Sequence, residues 1–175
     1  MTETNELSIF DEIVNCGILE EDSILNLGAG HKEGKFLETL LEYNGTFGGG
    51  LVKAVDADPK RIKTLTKKFK NENVKFYETS IQNYIEVETE QSDWVVLTGI
   101  FDNYLYGNTQ HDYIISVIKN YISLANKGLI ISLKEKLTDE FSYEISYFFT
   151  YLYYNFQKFT IKKVEDGNYI FCIFK

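Results

Sequence analysis

Apolar and polar positions change rhythm repeatedly along the chain. From Thr4 to Val14 the residues Leu7, Phe10 and Val14 recur at helical spacing, and Cys16-Gly17 ends that segment. Ser23 to Leu27 is a short apolar run that predicts a strand. Helical spacing returns at Phe36, Leu37, Leu40 and Leu41, with Asn44-Gly45 as its stop. The glycine-rich "GTFGGG" (Gly45 to Gly50) predicts a loop leading into a second strand, "LVKAVDA", through Asp56. Pro59 suits the first turn of the next helix, because proline has no N–H to leave unpaired there. A third strand, "NVKFYE", precedes Thr79-Ser80, and a fourth, "DWVVLT", precedes Gly99. A helix is predicted from Gln110 to Ala125, with Thr109 and Asp112 resembling a capping box and Gly128 past its end. "GLIISL" is a fifth strand. After Thr138, a candidate N-cap, an aromatic helix runs from Asp139 to about Tyr154. The closing "FTIKKVEDGNYIFCIFK" is two β-like runs around Asp166-Gly167, the chemistry of a tight hairpin turn.

Strands that alternate with helices must be joined by crossovers, which predicts a parallel sheet covered by helices on both faces. The near-continuous apolar strands agree, since alternation vanishes when both faces are buried.

Length and composition then narrow the picture. A chain of 175 residues, 44% apolar and 25% charged with one proline, is expected to form one domain over residues 1–175, of which 1–22 are a leading helix and linker. No stretch approaches the roughly 18 apolar residues of a membrane span. The acidic start "MTETNELSIFDEIV" lacks the features of a signal peptide. Cys16 and Cys172 stand at opposite ends of the chain without metal-ligand spacing, so a reduced, cytoplasmic protein without a metal site is expected. The net charge of −8 disfavours a general grip on nucleic acid. The one basic cluster, Lys60, Arg61, Lys63, Lys67, Lys68 and Lys70, reads as the solvated face of a helix whose apolar stripe is Ile62, Leu65 and Phe69.

In an open parallel sheet, ligands bind beyond the carboxyl ends of the strands. The residues at those ends are Gly28, Ala29 and Gly30; Asp56 and Ala57; Thr79, Ser80 and Ile81; then Thr98, Gly99, Ile100, Phe101 and Asp102. Glycines admit close backbone approach and positive φ, Asp56 can accept from both hydroxyls of a ribose, and Ser80 with Ile81 can wall a purine ring. Each also has a plainer reading: the glycines as steric needs of a strand-to-helix turn, Asp56 as a carboxylate at a helix N-terminus. Asp58 fits that last role better.

Taken in order, "ILNLGAG", "KAVDADP", "VKFYETS" and "DWVVLTGIFD" resemble the motifs of class I S-adenosylmethionine-dependent methyltransferases, over roughly Ser23 to Lys175. The resemblance implies a Rossmann-like three-layer α/β sandwich with a mostly parallel seven-stranded sheet and an antiparallel C-terminal hairpin strand. It implies S-adenosyl-L-methionine as cofactor, with Asn26, Gly28, Ala29 and Gly30 at its methionine part and Asp56 and Ala57 at its ribose. Ser80 and Ile81 would meet the adenine, Thr98 and Gly99 the sulfonium. Phe101, Asn103, Tyr104 and Tyr106 would face the acceptor. Two positions depart from the family: Asn26 stands where an acidic residue is usual, and Lys32 where a third glycine is usual, the extra glycine falling at Gly34.

In-line methyl displacement needs chiefly alignment, and an acceptor hydroxyl would need a base, for which Asp102 is the candidate. His31 and His111 are single histidines without an evident partner in the sequence. No Asp/Asn-Pro-Pro-Tyr stretch follows the fourth strand, so a small-molecule acceptor is expected and nucleic acid is not. Phe141, Ile145, Phe148 and Leu152 form a core stripe on the aromatic helix. Tyr143, Tyr147 and Tyr151 form a second stripe, either further core or a homodimer face. Two rivals stay open: a non-catalytic binding or scaffold protein that kept the fold, and an NAD-dependent oxidoreductase. The second would need G-x-G-x-x-G spacing and further parallel strands.

Overall fold

The computed structural model describes residues 4–45, 49–70, 73–101, 109–134, 145–164 and 167–175. The elements are α1 (Thr4–Val14), β1 (Ile24–Leu27), α2 (Lys35–Gly45), β2 (Val52–Asp56), α3 (Pro59–Lys68), β3 (Val74–Glu78), α4 (Ile81–Val87), β4 (Ser92–Leu97), α5 (Thr109–Tyr121), β5 (Ala125–Lys134), α6 (Ile145–Asn155), β6 (Phe159–Lys163) and β7 (Asn168–Phe174). All seven strands join one sheet in the order β3-β2-β1-β4-β5-β7-β6. The first five run parallel, and β7 is antiparallel to both β5 and β6.

Successive side chains of a strand point to opposite faces, and here both faces are covered. Leu25, Leu27, Val55, Val95 and Leu97 pack with Tyr84, Ile114, Ile118, Phe148 and Leu152 from α4, α5 and α6. Their neighbours Ile24, Val52, Ala54, Trp94 and Val96 pack with Ile13, Leu37, Leu40 and Leu65 from α1, α2 and α3. The result is the expected three-layer sandwich. Among the described residues no helix is long and apolar enough to cross a membrane.

Several local expectations are corrected. The helix predicted to reach Ala125 stops at Tyr121, a short 3-10 turn follows, and β5 starts at Ala125. Gly128 is therefore no helix stop but a strand residue, required because a Cβ there would lie 2.6 Å from both the Ile173 carbonyl and the Trp94 ring. Helix α4, absent from the sequence analysis, has about two turns and little periodicity to reveal it. On α1 the core residue is Ile13, fully buried, beside Phe10. The aromatic helix buries Phe148 and Leu152 as expected, while Phe141, Tyr143 and Thr138 lie outside the described residues. Tyr151 packs on the core, whereas Tyr147 is exposed, as are Phe149, Tyr153 and Tyr154 on the same helix. Cys16, far from Cys172 in sequence, packs against the cluster that holds it; the Cys172 thiol draws the Cys16 thiol below the ordinary range.

Candidate functional site at the carboxyl ends of the parallel strands

Strand β1 lies at the centre, with β2 and β3 to one side and β4 and β5 to the other, so the order reverses between β1 and β4. That switch leaves a crevice above the strand ends. Gly28 ends β1 with φ 78°, a conformation costly for other residues, and turns the chain over β2, where the Gly28 and Ala29 amides donate to Val55 O at 2.8 and 3.0 Å. The next amide, Gly30 N, donates to Asp56 Oδ2 at 2.9 Å. Asp58 N donates to Asp56 Oδ1 at 2.9 Å, and Arg61 Nη1 stands 3.8 Å from Oδ2. Asp56 is thus aimed by two backbone donors while only 7% exposed. A Cβ on Gly30 would sit 2.7 Å from Asp56 Oδ2, so the glycine is what lets loop and carboxylate meet. Asp58 caps α3 through Lys60 N at 2.8 Å, the role assigned to it from sequence.

Lys32, at the family's third glycine position, has φ 44° and ψ 48°, and Glu33 has φ 60°. The backbone keeps a left-handed, glycine-like course although the residues are not glycine. Each such residue costs on the order of 1 kcal/mol. Gly34 then has φ 77°, and its missing side chain makes room for Leu65, whose Cδ2 would lie 2.3 Å from a Cβ.

The far wall rests on α4. Ser80 caps that helix by accepting from Asn83 N at 3.2 Å, and the Tyr121 hydroxyl donates to the Ile81 carbonyl. Gln82 Nε2 donates to Tyr113 Oη at 2.7 Å, so α5 holds α4 at two points. Burial pushes the Tyr121 phenol up, which keeps it a proton donor.

On the opposite side Gly99 has φ 66°, and a Cβ there would be 2.2 Å from His31 Cδ2 and 2.4 Å from His31 Nε2. A Cβ on Gly28 would be 2.5 Å from Ile100 Cγ1. The two glycine turns therefore accept side chains from each other's loops. Between these walls lies a cavity of about 370 Å³, lined by Gly28, His31, Asp56, Ala57, Asp58, Arg61, Ser80, Ile81, Gln82, Gly99 and Ile100.

Six of the residues picked from sequence line this cavity together: Gly28, Asp56, Ala57, Ser80, Ile81 and Gly99. Gly30 serves it from behind by aiming Asp56. Ala29 and Thr98 are buried outside its lining. Asn26 is 1% exposed with neither amide atom hydrogen-bonded, packed on the α1–α3 side of β1 between Ala54 and Val96. Phe101, expected to face an acceptor, is instead fully buried and packs edge-on against Tyr113, because α5 offers it an apolar seat. Asp102, Asn103, Tyr104 and Tyr106 lie outside the described residues. Of the other lining residues, sequence reasoning named Ile100 at the end of the fourth strand and His31 as a lone histidine without assigning either to the cofactor, placed Arg61 only in a solvated basic face, and left out Gln82. Arg61 was legible as a first-turn residue of the helix after Asp56; Gln82 was hidden with α4. A larger, open groove of about 660 Å³ at Tyr153–Phe159 is lined by one continuous stretch of chain, without groups converging from several strands.

No model of a protein family and no curated protein sequence matches this chain. Solved structures do. A SAM-dependent methyltransferase from Aquifex aeolicus superposes with a TM-score of 0.72 at 17% identity, covering 99% of this chain and 93% of that one. The fold is that of a class I methyltransferase. The magnesium protoporphyrin IX methyltransferase of Synechocystis PCC 6803, solved with bound SAM, gives 0.70 at 17% identity over 99% of this chain and 78% of that one. An rRNA methylase from Streptococcus thermophilus gives 0.63 at 13% identity, covering 100% and 98%. The methyltransferase fold explains why the hairpin ends the sheet antiparallel. The neighbours' acceptors, a porphyrin and an rRNA, differ widely.

Proposed function

We propose that this protein is an S-adenosyl-L-methionine-dependent methyltransferase acting on a small-molecule acceptor. The observation that carries this reading is Asp56: a carboxylate at the tip of β2, oriented by Gly30 N and Asp58 N, facing a cavity at the switch point of the sheet. A carboxylate has about four acceptor sites, and backbone donors occupy one on each oxygen, so both oxygens retain capacity for ribose hydroxyls. Ile81 and Gln82 supply an apolar wall and an amide for a purine. The glycines at 28, 30 and 99 let Ile100, Asp56 and His31 close in over the strand ends, and the cavity they help line, with Asp56 beside Ile81 and Gln82, fits the cofactor.

When bound, that cofactor supplies an electrophilic methyl on a positively charged sulfur. The protein's task is to align the acceptor atom with that methyl in a pocket shielded from water. Asp102 is the proposed base that would take the acceptor's proton on transfer. The −8 net charge supports a small acceptor over a polyanionic one. The orphaned amide of Asn26 favours one alternative, a fold kept for binding without transfer. The nicotinamide reading loses support from the antiparallel β7.

Calorimetric titration with S-adenosylmethionine, S-adenosylhomocysteine and NAD separates the three. Micromolar binding of S-adenosylhomocysteine is expected, with none of NAD. Asp56→Ala should weaken it by at least ~100-fold, since two charge-assisted hydrogen bonds are lost. Failure to bind either adenosylated ligand would sink the enzyme reading.

A further inference from the structure

The two cysteines stand near opposite ends of the chain, and the fold brings them together. Strand β7 sets Cys172 between Ile130 of β5 and Thr160 of β6, fully buried on the sheet face that α1 covers. Helix α1 packs on this face through Phe10 and Ile13, and the ion pair of Glu12 with Lys162 pins it to β6. Cys16 follows in the turn that ends α1, where its amide donates to Ile13 O at 3.1 Å. Its side chain joins the same cluster, and the two thiols stand within hydrogen-bonding reach of each other. Cys16 remains partly exposed. Among the described residues, the lining of the cofactor cavity takes none from α1, β6 or β7, so the pair is a separate site.

We propose that Cys16 and Cys172 form a reversible thiol–disulfide pair, closed by a hydroperoxide, that ties α1 to the β6–β7 hairpin. The Cys16 sulfur takes the terminal oxygen of the hydroperoxide and becomes a sulfenic acid. The O–O bond breaks, and the thiol proton leaves with the rest of the oxidant as water or an alcohol. The Cys172 sulfur then attacks the Cys16 sulfur; the S–O bond breaks, and the hydroxyl leaves with the Cys172 proton as water. The two sulfurs together give up two electrons, which one molecule of oxidant accepts. An external thiol reopens the bond by exchange.

Access sets the order of these steps. Cys16 meets solvent, whereas Cys172 is sealed beneath α1 and waits as the resolving thiol. Reactivity runs the same way. The hydrogen bond from Cys172 holds the Cys16 thiol below the ordinary range, against the opposing effects of burial and Glu12. That bond and burial push the Cys172 thiol up. Sulfurs already in contact need little backbone movement to bond, and Cys16 lies just before Gly17, whose φ of 108° marks the end of the helix. The closed bond encloses β1 through β6 in one loop, which restricts the unfolded chain far more than the folded one.

The test treats the full chain with sub-millimolar hydrogen peroxide at neutral pH and follows intact mass, non-reducing peptide maps and thermal denaturation. The parent should lose two hydrogens, gain an intramolecular crosslink between Cys16 and Cys172, and rise in Tm by about 5 °C or more, with dithiothreitol restoring the starting Tm. In Cys172→Ser the reaction should stop at a Cys16 sulfenic acid that dimedone captures. In Cys16→Ser the Cys172 thiol should react at least about 10-fold more slowly than Cys16 does in the parent. Should Cys172→Ser lower Tm, Cys172→Ala takes its place. Crosslinks between chains, oxidation of Cys16 to a sulfinic acid in the parent without a crosslink, or a crosslink that leaves Tm unchanged overturns the assignment. None of these outcomes depends on S-adenosylhomocysteine binding, so the cofactor reading stands or falls separately.

Discussion

Two buried aspartates occupy opposite ends of the sheet. Asp22, before β1, is 1% exposed; it accepts from Leu19 N at 3.0 Å and Trp94 Nε1 at 2.8 Å and pairs with Lys127. Asp56, after β2, is 7% exposed; it accepts from two backbone amides and stands near Arg61. By burial, donors and cation the two look alike. They differ in what lies in front of them. Indole, lysine and the Gly50 turn close over Asp22, where a Cβ on Gly50 would come within 2.4 Å of the Asp22 backbone. Asp56 opens onto the cavity, with its arginine at 3.8 Å and half in water. A buried, paired carboxylate is a clip at the amino ends of the strands and a candidate binding group at their carboxyl ends, where the loops leave space.

That contrast is breakable by substitution. Asp22→Ala leaves the indole N–H and the Leu19 amide buried without an acceptor, and should destabilise by about 2–4 kcal/mol while leaving S-adenosylhomocysteine affinity unchanged. Asp56→Ala should do the reverse, costing affinity far more than stability. Chemical denaturation and calorimetry on both variants decide it, and equal losses in both properties for either one would dissolve the distinction.

A smaller effect tests whether the site's loop is strained for its task. Lys32→Gly removes a left-handed lysine but adds entropy to the unfolded chain, so a net gain of about 0.5–1 kcal/mol is expected. A loss of stability would mean that the lysine side chain contributes more than its backbone costs. Smallest is the alkaline response of the clip. The hydrogen bond to Asp22 holds the Lys127 ammonium above the ordinary lysine range. A raised folded-state pKa stabilises fully below the unfolded value of about 10.4 and is lost as pH rises through the folded one. Tm should thus fall about 1–3 °C further between neutral pH and pH about 11 in the parent than in Lys127→Met, the small size reflecting a largely solvated ammonium.

The architecture was readable because its signals are local: five apolar runs of strand length, glycines where the chain turns, and an Asp-Gly pair between the last two runs. Errors fell where local signal is thin or ambiguous. Among its described side chains, helix α4 offers Ile81, Tyr84 and Ile85 as apolar contacts, and it owes its place to a serine cap and two hydrogen bonds with α5. Gly128 has the look of a helix stop, yet it is dictated by a carbonyl from β7, 45 residues later in the chain. Phe101 was assigned outward by its position after β4 and turned inward because Tyr113 receives it.

From its sequence alone, this protein's strand-helix alternation and the order of Gly28, Asp56, Ser80 and Gly99 along the strand ends were determined, since backbone propensity and turn chemistry act between neighbours. Only the tertiary structure decided that Gly30 aims Asp56, that Arg61 stands beside it and that His31 lies on Gly99. Those contacts join loops of different strands, and their geometry follows from strand order and from space that absent side chains leave, which no local pattern encodes.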